Sequence, residues 1–139
     1  MKVVLDTDVI IAGMRSPSGA SAEIIRLARR GELTLMASVS LFMEYESKCT
    51  LPIHYQEAGL TAQEADIFIN ALAGIIKPVK THYLWRPQLR DPADEMVLEA
   101  AVNGGAQALV SFNQKHFGTT PQRFGIQLLL PSQLLRSLK

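Results

Sequence analysis

Short apolar runs alternate with stretches of helical spacing along almost the whole sequence, and few folds accommodate that order. Lys2 to Leu5, Leu33 to Met36, Ala108 to Ser111 and Ile126 to Leu130 have the length and aliphatic content of buried strands. Between them Ile24, Ile25, Leu27 and Ala28 recur at helical spacing. So do Ile67, Phe68, Ala71 and Leu72, and again Met96, Val97, Ala100 and Ala101. Helices that alternate with wholly apolar strands cover both faces of a parallel sheet. The predicted fold is α/β, a three-layer α/β/α sandwich around a central parallel sheet.

Local signals set the boundaries. Ser16-Pro17-Ser18-Gly19 carries turn chemistry, and Gly31 supplies the C-terminal stop of the helix that follows it. A helix is predicted from about Ser40, ending before Pro52. Thr61-Ala62-Gln63-Glu64 has the spacing of a capping box, opening a helix closed by Gly74. Pro78 confines Ile75 to Val79 to a sheet edge. Asp91-Pro92 places proline in a first helical turn, where its missing N–H costs nothing, and Gly104-Gly105 ends that helix. Pro131-Ser132 starts a short terminal helix.

The 139 residues are 47% hydrophobic and 19% charged, with 14 Lys and Arg against 13 Asp and Glu. A chain of that composition buries a core and forms one domain over residues 1–139, which excludes disorder. A net charge of +1 also excludes a protein that coats nucleic acid through bulk charge. Cys49 is the sole cysteine, which rules out an intrachain disulfide, and it reads as a small buried apolar side chain. Asp6 and Asp8 interrupt the first apolar stretch, unlike a secretory signal. No apolar run approaches the ~18 residues of a membrane span. A cytoplasmic protein is expected.

The acids are informative by position. Asp6 ends the first strand, Glu44 lies one turn into the helix after the second, and Asp91 and Asp94 open the helix leading to the next strong strand. Asn113 directly follows that strand. In an open parallel sheet all these positions lie at the edge where strand C-termini meet helix N-termini. Each acid alone has a structural reading: Asp91, Asp94 and Glu95 suit a first helical turn, and Glu44 and Glu46 suit a solvated helix face. Asp6 is different, because an acid ending a buried strand needs a partner. Clustered carboxylates repel by about 1 kcal/mol per pair at about 4 Å in water, and more in a drier site. An oxygen-only set of this kind favours Mg²⁺ or Mn²⁺, ions that polarise a phosphodiester and activate water.

The motifs carrying these acids form an ordered set. Leu5-Asp6-Thr7-Asp8-Val9-Ile10 resembles the opening motif of PIN domains, and Glu44 within Leu41 to Glu46 resembles their second acidic motif. Arg90-Asp91-Pro92-Ala93-Asp94-Glu95-Met96-Val97-Leu98 resembles a stretch found in a PIN subgroup of toxin components. Val110 to Phe117 resembles the block that closes the family's site, and Gly125 to Ser132 the subgroup's last strand and helix. The resemblance implies a five-stranded parallel sheet, a divalent-metal site and endoribonuclease activity on single-stranded RNA. It implies Asp6, Glu44 and Asp94 as metal-binding acids, with Asp91 nearby; Asn113, a neutral oxygen ligand, is expected as an auxiliary one. VapC-type members are homodimers inhibited by a small antitoxin, so those partners are implied as well. Three positions depart from the pattern. Asp8 stands where Asn is common, and Asn113 and His116 stand where acids are frequent.

Lys115, next to the site, is placed for RNA phosphate, whereas Arg26, Arg29 and Arg30 read as a solvated face. Ser111 is expected to orient Asp6 or a water, and Trp85 to pack. Two rivals differ in chemistry. A haloacid-dehalogenase-type phosphatase would share Asp6-Thr7-Asp8, but it needs its late acids after a phosphate-binding Ser, and here Asp91 and Asp94 precede Ser111. A catalytically degenerate PIN fold that binds RNA or protein is the alternative within the same architecture.

Overall fold

A computed structural model describes residues 1–82 and 88–139, so the packing expected of Trp85 lies outside the described residues. Five strands, β1 (Lys2–Leu5), β2 (Thr34–Ser38), β3 (Lys77–Val79), β4 (Ala108–Val110) and β5 (Gln127–Leu129), form one sheet in the order β3-β2-β1-β4-β5. Every pairing is parallel, and helices flank the sheet in the expected three-layer α/β/α sandwich.

Burial explains the strand sequences. Val3, Val4 and Leu5 of β1 and Ala108, Leu109 and Val110 of β4 are shut from solvent, so both central strands are apolar without alternation. The edge strand β3 carries Pro78, where a missing N–H leaves no ladder bond unmade.

The helices are α1 (Thr7–Arg15), α2 (Ala20–Arg29), α3 (Val39–Cys49), α4 (Pro52–Glu57), α5 (Ala62–Ile75), α6 (Pro92–Gly104), α7 (Gln114–Phe117), α8 (Thr120–Arg123) and α9 (Pro131–Ser137). Thr61 and Glu64 form the predicted capping box on α5. The α5 helix runs through Gly74 to Ile75, because that glycine is only one position inside the last turn. Pro52 begins α4 instead of merely following α3. At the end of α6, Gly104 lies so close to β2 that an added Cβ would stand 2.8 Å from Met36 Cε, and Gly105 closes the helix with a left-handed φ of 64°.

The chain order locates the functional edge. From β1 the chain steps outward to β2 and β3, then returns to the other side of β1 for β4 and β5. The direction reverses between β1 and β4, and the crevice beyond the carboxyl ends of those strands is where α/β sheets bind ligands. A buried hydrogen bond braces this edge: the Tyr45 hydroxyl of α3 donates to the Leu5 carbonyl at the end of β1. Tyr45→Phe keeps the ring and removes the donor, so urea unfolding should show a loss of about 1 kcal/mol. An unchanged unfolding midpoint would show that the bond contributes nothing.

Candidate functional site

Asp6 sits at that reversal, between β1 and α1. It is 7% exposed and caps α1: its Oδ1 accepts from the Thr7 N–H at 2.8 Å. The Ser111 hydroxyl, just beyond β4, donates to Asp6 Oδ2 at 2.6 Å. Burial raises the proton affinity of Asp6, while the bonds from Ser111 and Thr7 oppose that rise. Ser111 also accepts from the Asn113 N–H at 2.9 Å, so one hydroxyl ties the loop after β4 to the acid after β1.

Asp8 was read from sequence only as a departure at a neighbouring position, yet it belongs to this cluster. Its Oδ2 accepts from the Phe112 N–H and from the Asn113 side-chain amide, both at 3.1 Å. Its Oδ1 is buried and has no hydrogen-bond partner. Burial first, and then the charge of Asp6, push its pKa up to about 7. Asn113 thus offers a donor where a carboxylate would add a third negative charge. Asn113→Asp should therefore lower the melting temperature. Like charges at this range cost about 1 kcal/mol in water and about 4 kcal/mol in a partly buried site. Exchanging the two residues, Asp8→Asn with Asn113→Asp, should restore the melting temperature. A single variant as stable as the parent would mean that the pair does not form.

Two acids arrive from α6. Asp91 caps that helix, accepting from the Ala93 N–H at 2.8 Å, and Asp94, 7% exposed, lies in its first turn. Burial, and then the charge of Asp6, raise the proton affinity of Asp94. His116 Nδ1 stands 3.2 Å from Asp94 Oδ2, and its charged form would oppose the rise. Although its side chain is more than half exposed, His116 faces an acid of the cluster. The Glu95 carboxylate is buried and accepts from the N–H groups of Gln88 and Leu89, which fixes the approach to Asp91.

The structure therefore brings Asp6, Asp8, Asp91, Asp94, Asn113 and His116 to one edge. Glu44 lies on α3, where its carboxylate stands 4.0 Å from Lys48 of the same helix. Among the described residues no three His, Cys, Asp or Glu side chains converge tightly enough to enclose one ion. Beside Asp91 and Asp94 opens a cavity of about 560 Å³, whose walls include Arg90, Lys115 and His116.

The remaining polar candidates have structural roles. Ser38 caps α3 by accepting from the Leu41 N–H. Burial pushes the Cys49 thiol up to about 12, far from a nucleophilic thiolate. Arg26 and Arg30 pair with Glu23, and Arg30 also with Glu32, as a solvated face does. No described helix is long and apolar enough to cross a membrane.

An all-parallel sandwich with carboxylates gathered at its strand reversal belongs to the open-sheet α/β proteins, which bind ligands at that point. Within that class, the sequence profile of the PIN domain matches residues 2–115, and the chain belongs to the PIN-domain family. Among solved structures, a chain of VapBC2 from Rickettsia felis bound to a DNA fragment from their promoter aligns with a TM-score of 0.58. The alignment covers 92% of this chain and 97% of that one at 12% identity, which is a likeness of fold. The curated proteins contain no significant match.

Proposed function

We propose that the protein is a divalent-metal-dependent endoribonuclease that hydrolyses single-stranded RNA, and that it is the toxin of a toxin–antitoxin pair. The observation that carries this reading is the crowding of Asp6, Asp8 and Asp94 at the strand reversal, each with raised proton affinity. Such acids are stabilised by added positive charge, and the unpartnered Asp8 Oδ1 has the same need.

The donor set fits Mg²⁺ or Mn²⁺. Magnesium keeps several waters and is bound through one or two carboxylates, so three converging side chains are not required. Asp6 and Asp94 would hold the ion, with Asp91 and the Asn113 carbonyl oxygen as auxiliary ligands and Glu44 completing the outer shell. A bound ion would supply Lewis-acid polarisation of the phosphodiester and an activated water. The chain's own contribution is positioning: Ser111 and the Thr7 N–H fix Asp6, His116 faces Asp94, and Asn113 holds Asp8. Arg90 and Lys115, on the cavity wall beside Asp94, would bind the RNA backbone.

The PIN family and its VapC-like motifs support the toxin assignment, an antitoxin partner, a homodimer and a cytoplasmic setting. A second reading, a degenerate module that binds RNA or protein without cutting, draws on Asn113 standing as an amide where an acid is frequent. Incubating an end-labelled single strand, and the same strand in a duplex, with purified protein and Mg²⁺ or Mn²⁺ separates the two. Internal cuts in the single strand alone are expected. Binding without cuts would favour the module.

A further inference from the structure

On the Asp8 side of the carboxylates lies a second cavity, of about 440 Å³, whose walls include Asp8, Ile11, Ala12, Arg15, His54 and Phe112. Phe112 is unusual in being both exposed and firmly held. Its backbone N–H donates to Asp8, the preceding Ser111 is bonded to Asp6 and the following Asn113 to Asp8, yet the residue is 49% exposed. A single exposed apolar side chain is ordinary on a protein surface. An aromatic side chain whose backbone is held within one residue of both groups that bond the acids is placed for contact with whatever those acids act on.

The rest of the cavity narrows the choice of occupant. Ile11 and Ala12 continue the apolar wall begun by Phe112. Asp8 and His54 also line the space. Arg15 stands at the cavity too, in an ion pair with Glu57. An exposed aromatic ring with an apolar surround and charged side chains beside it matches a heterocyclic base, which offers a π face for stacking on a ring.

We propose that this cavity receives one unpaired nucleobase of the substrate strand, stacked on Phe112 beside the phosphodiester presented to the carboxylates. The proposal rests on the ribonuclease reading and names how that site selects its substrate. A base can enter only after leaving its own stack, so discrimination against duplex RNA follows from the cavity itself.

The test measures binding of a fluorescent hexanucleotide RNA by anisotropy, with Ca²⁺ in place of Mg²⁺. Phe112→Ala should raise Kd about tenfold, as losing one stacked base does. Phe112→Tyr and Phe112→Trp should bind like the parent, and Phe112→Leu should fall with the alanine variant, because stacking needs a ring. An RNA with one abasic position, moved along the strand, should at one place cost the parent about tenfold and cost Phe112→Ala nothing more. Melting temperatures should match throughout, since the ring is exposed. Parental affinity in the alanine or leucine variant, or an abasic penalty that survives in Phe112→Ala, overturns the platform while leaving the ribonuclease reading in place. A parent protein that binds no single-stranded RNA brings down both.

Discussion

Asp94→Asn is expected to lower RNA cleavage by about three orders of magnitude, the scale of a lost electrostatic contact to a reacting phosphodiester, without lowering the melting temperature. Asp94 is nearly buried, and burial together with the Asp6 charge raises its proton affinity. A neutral amide of the same shape relieves that repulsion and still offers His116 an oxygen. The variant should therefore melt at the parental temperature or slightly above it, the signature of a residue kept for chemistry at some cost in stability. Asp6→Asn is a less clean test, because Asp6 also caps α1 and accepts from Ser111. Single-turnover cleavage measured beside thermal melting checks the prediction. Unchanged turnover would remove Asp94 from the site, and a large fall in melting temperature would make its role structural.

The second large effect is stabilisation by the metal itself, with a definite dependence on pH. The folded protein raises the pKa of Asp8 to about 7 and also raises those of Asp6 and Asp94. Without metal, their contribution to stability is fully present below the ordinary aspartate range and is lost as pH rises toward neutrality, where charges are forced together. A divalent ion reverses the preference, because it needs those carboxylates ionised. At about pH 8, Mn²⁺ at about a hundred times its dissociation constant should add about 2.7 kcal/mol, or about 8 °C in a domain of this size. At about pH 5, where protons compete for the same oxygens, the shift should shrink severalfold. Melting curves with and without Mn²⁺ at the two pH values decide the matter. A shift of equal size at both would place the ion away from these aspartates.

Much of the architecture was legible because its signals are local. The apolar run ended by Asp6, the capping box at Thr61, Pro78 at an edge and Asp91-Pro92 at a helix start each declare a boundary within a few residues. The α1 helix was missed although Val9, Ile10, Gly13 and Met14 give it a buried face, because Asp6 was weighed as a site residue and not also as a helix cap. The short α7 and α8 turns carry too few residues to show any periodicity.

The candidate site was legible as a set of positions but not as a set of contacts. Sequence placed Glu44 one turn into the helix, and α3 carries it there, beside the buried stripe of Leu41, Tyr45 and Cys49 and near Lys48. Asp8 and Asn113 are 105 residues apart, and only the pairing of β1 with β4 brings them within hydrogen-bonding distance. Ser111 was expected to orient Asp6 or a water, and its bond to Asp6 depends on the same pairing.

The most direct measurement strips the pure protein with EDTA, confirms that it is folded, and follows a labelled single-stranded RNA before and after Mn²⁺ is restored, beside Asp94→Asn. The stripped protein should be inert, restored Mn²⁺ should bring internal cuts, and the variant should stay silent in both conditions. A folded protein that cuts equally well without a divalent ion, or that cuts no RNA when Mn²⁺ or Mg²⁺ is supplied, would contradict a metal-dependent ribonuclease centred on Asp6 and Asp94.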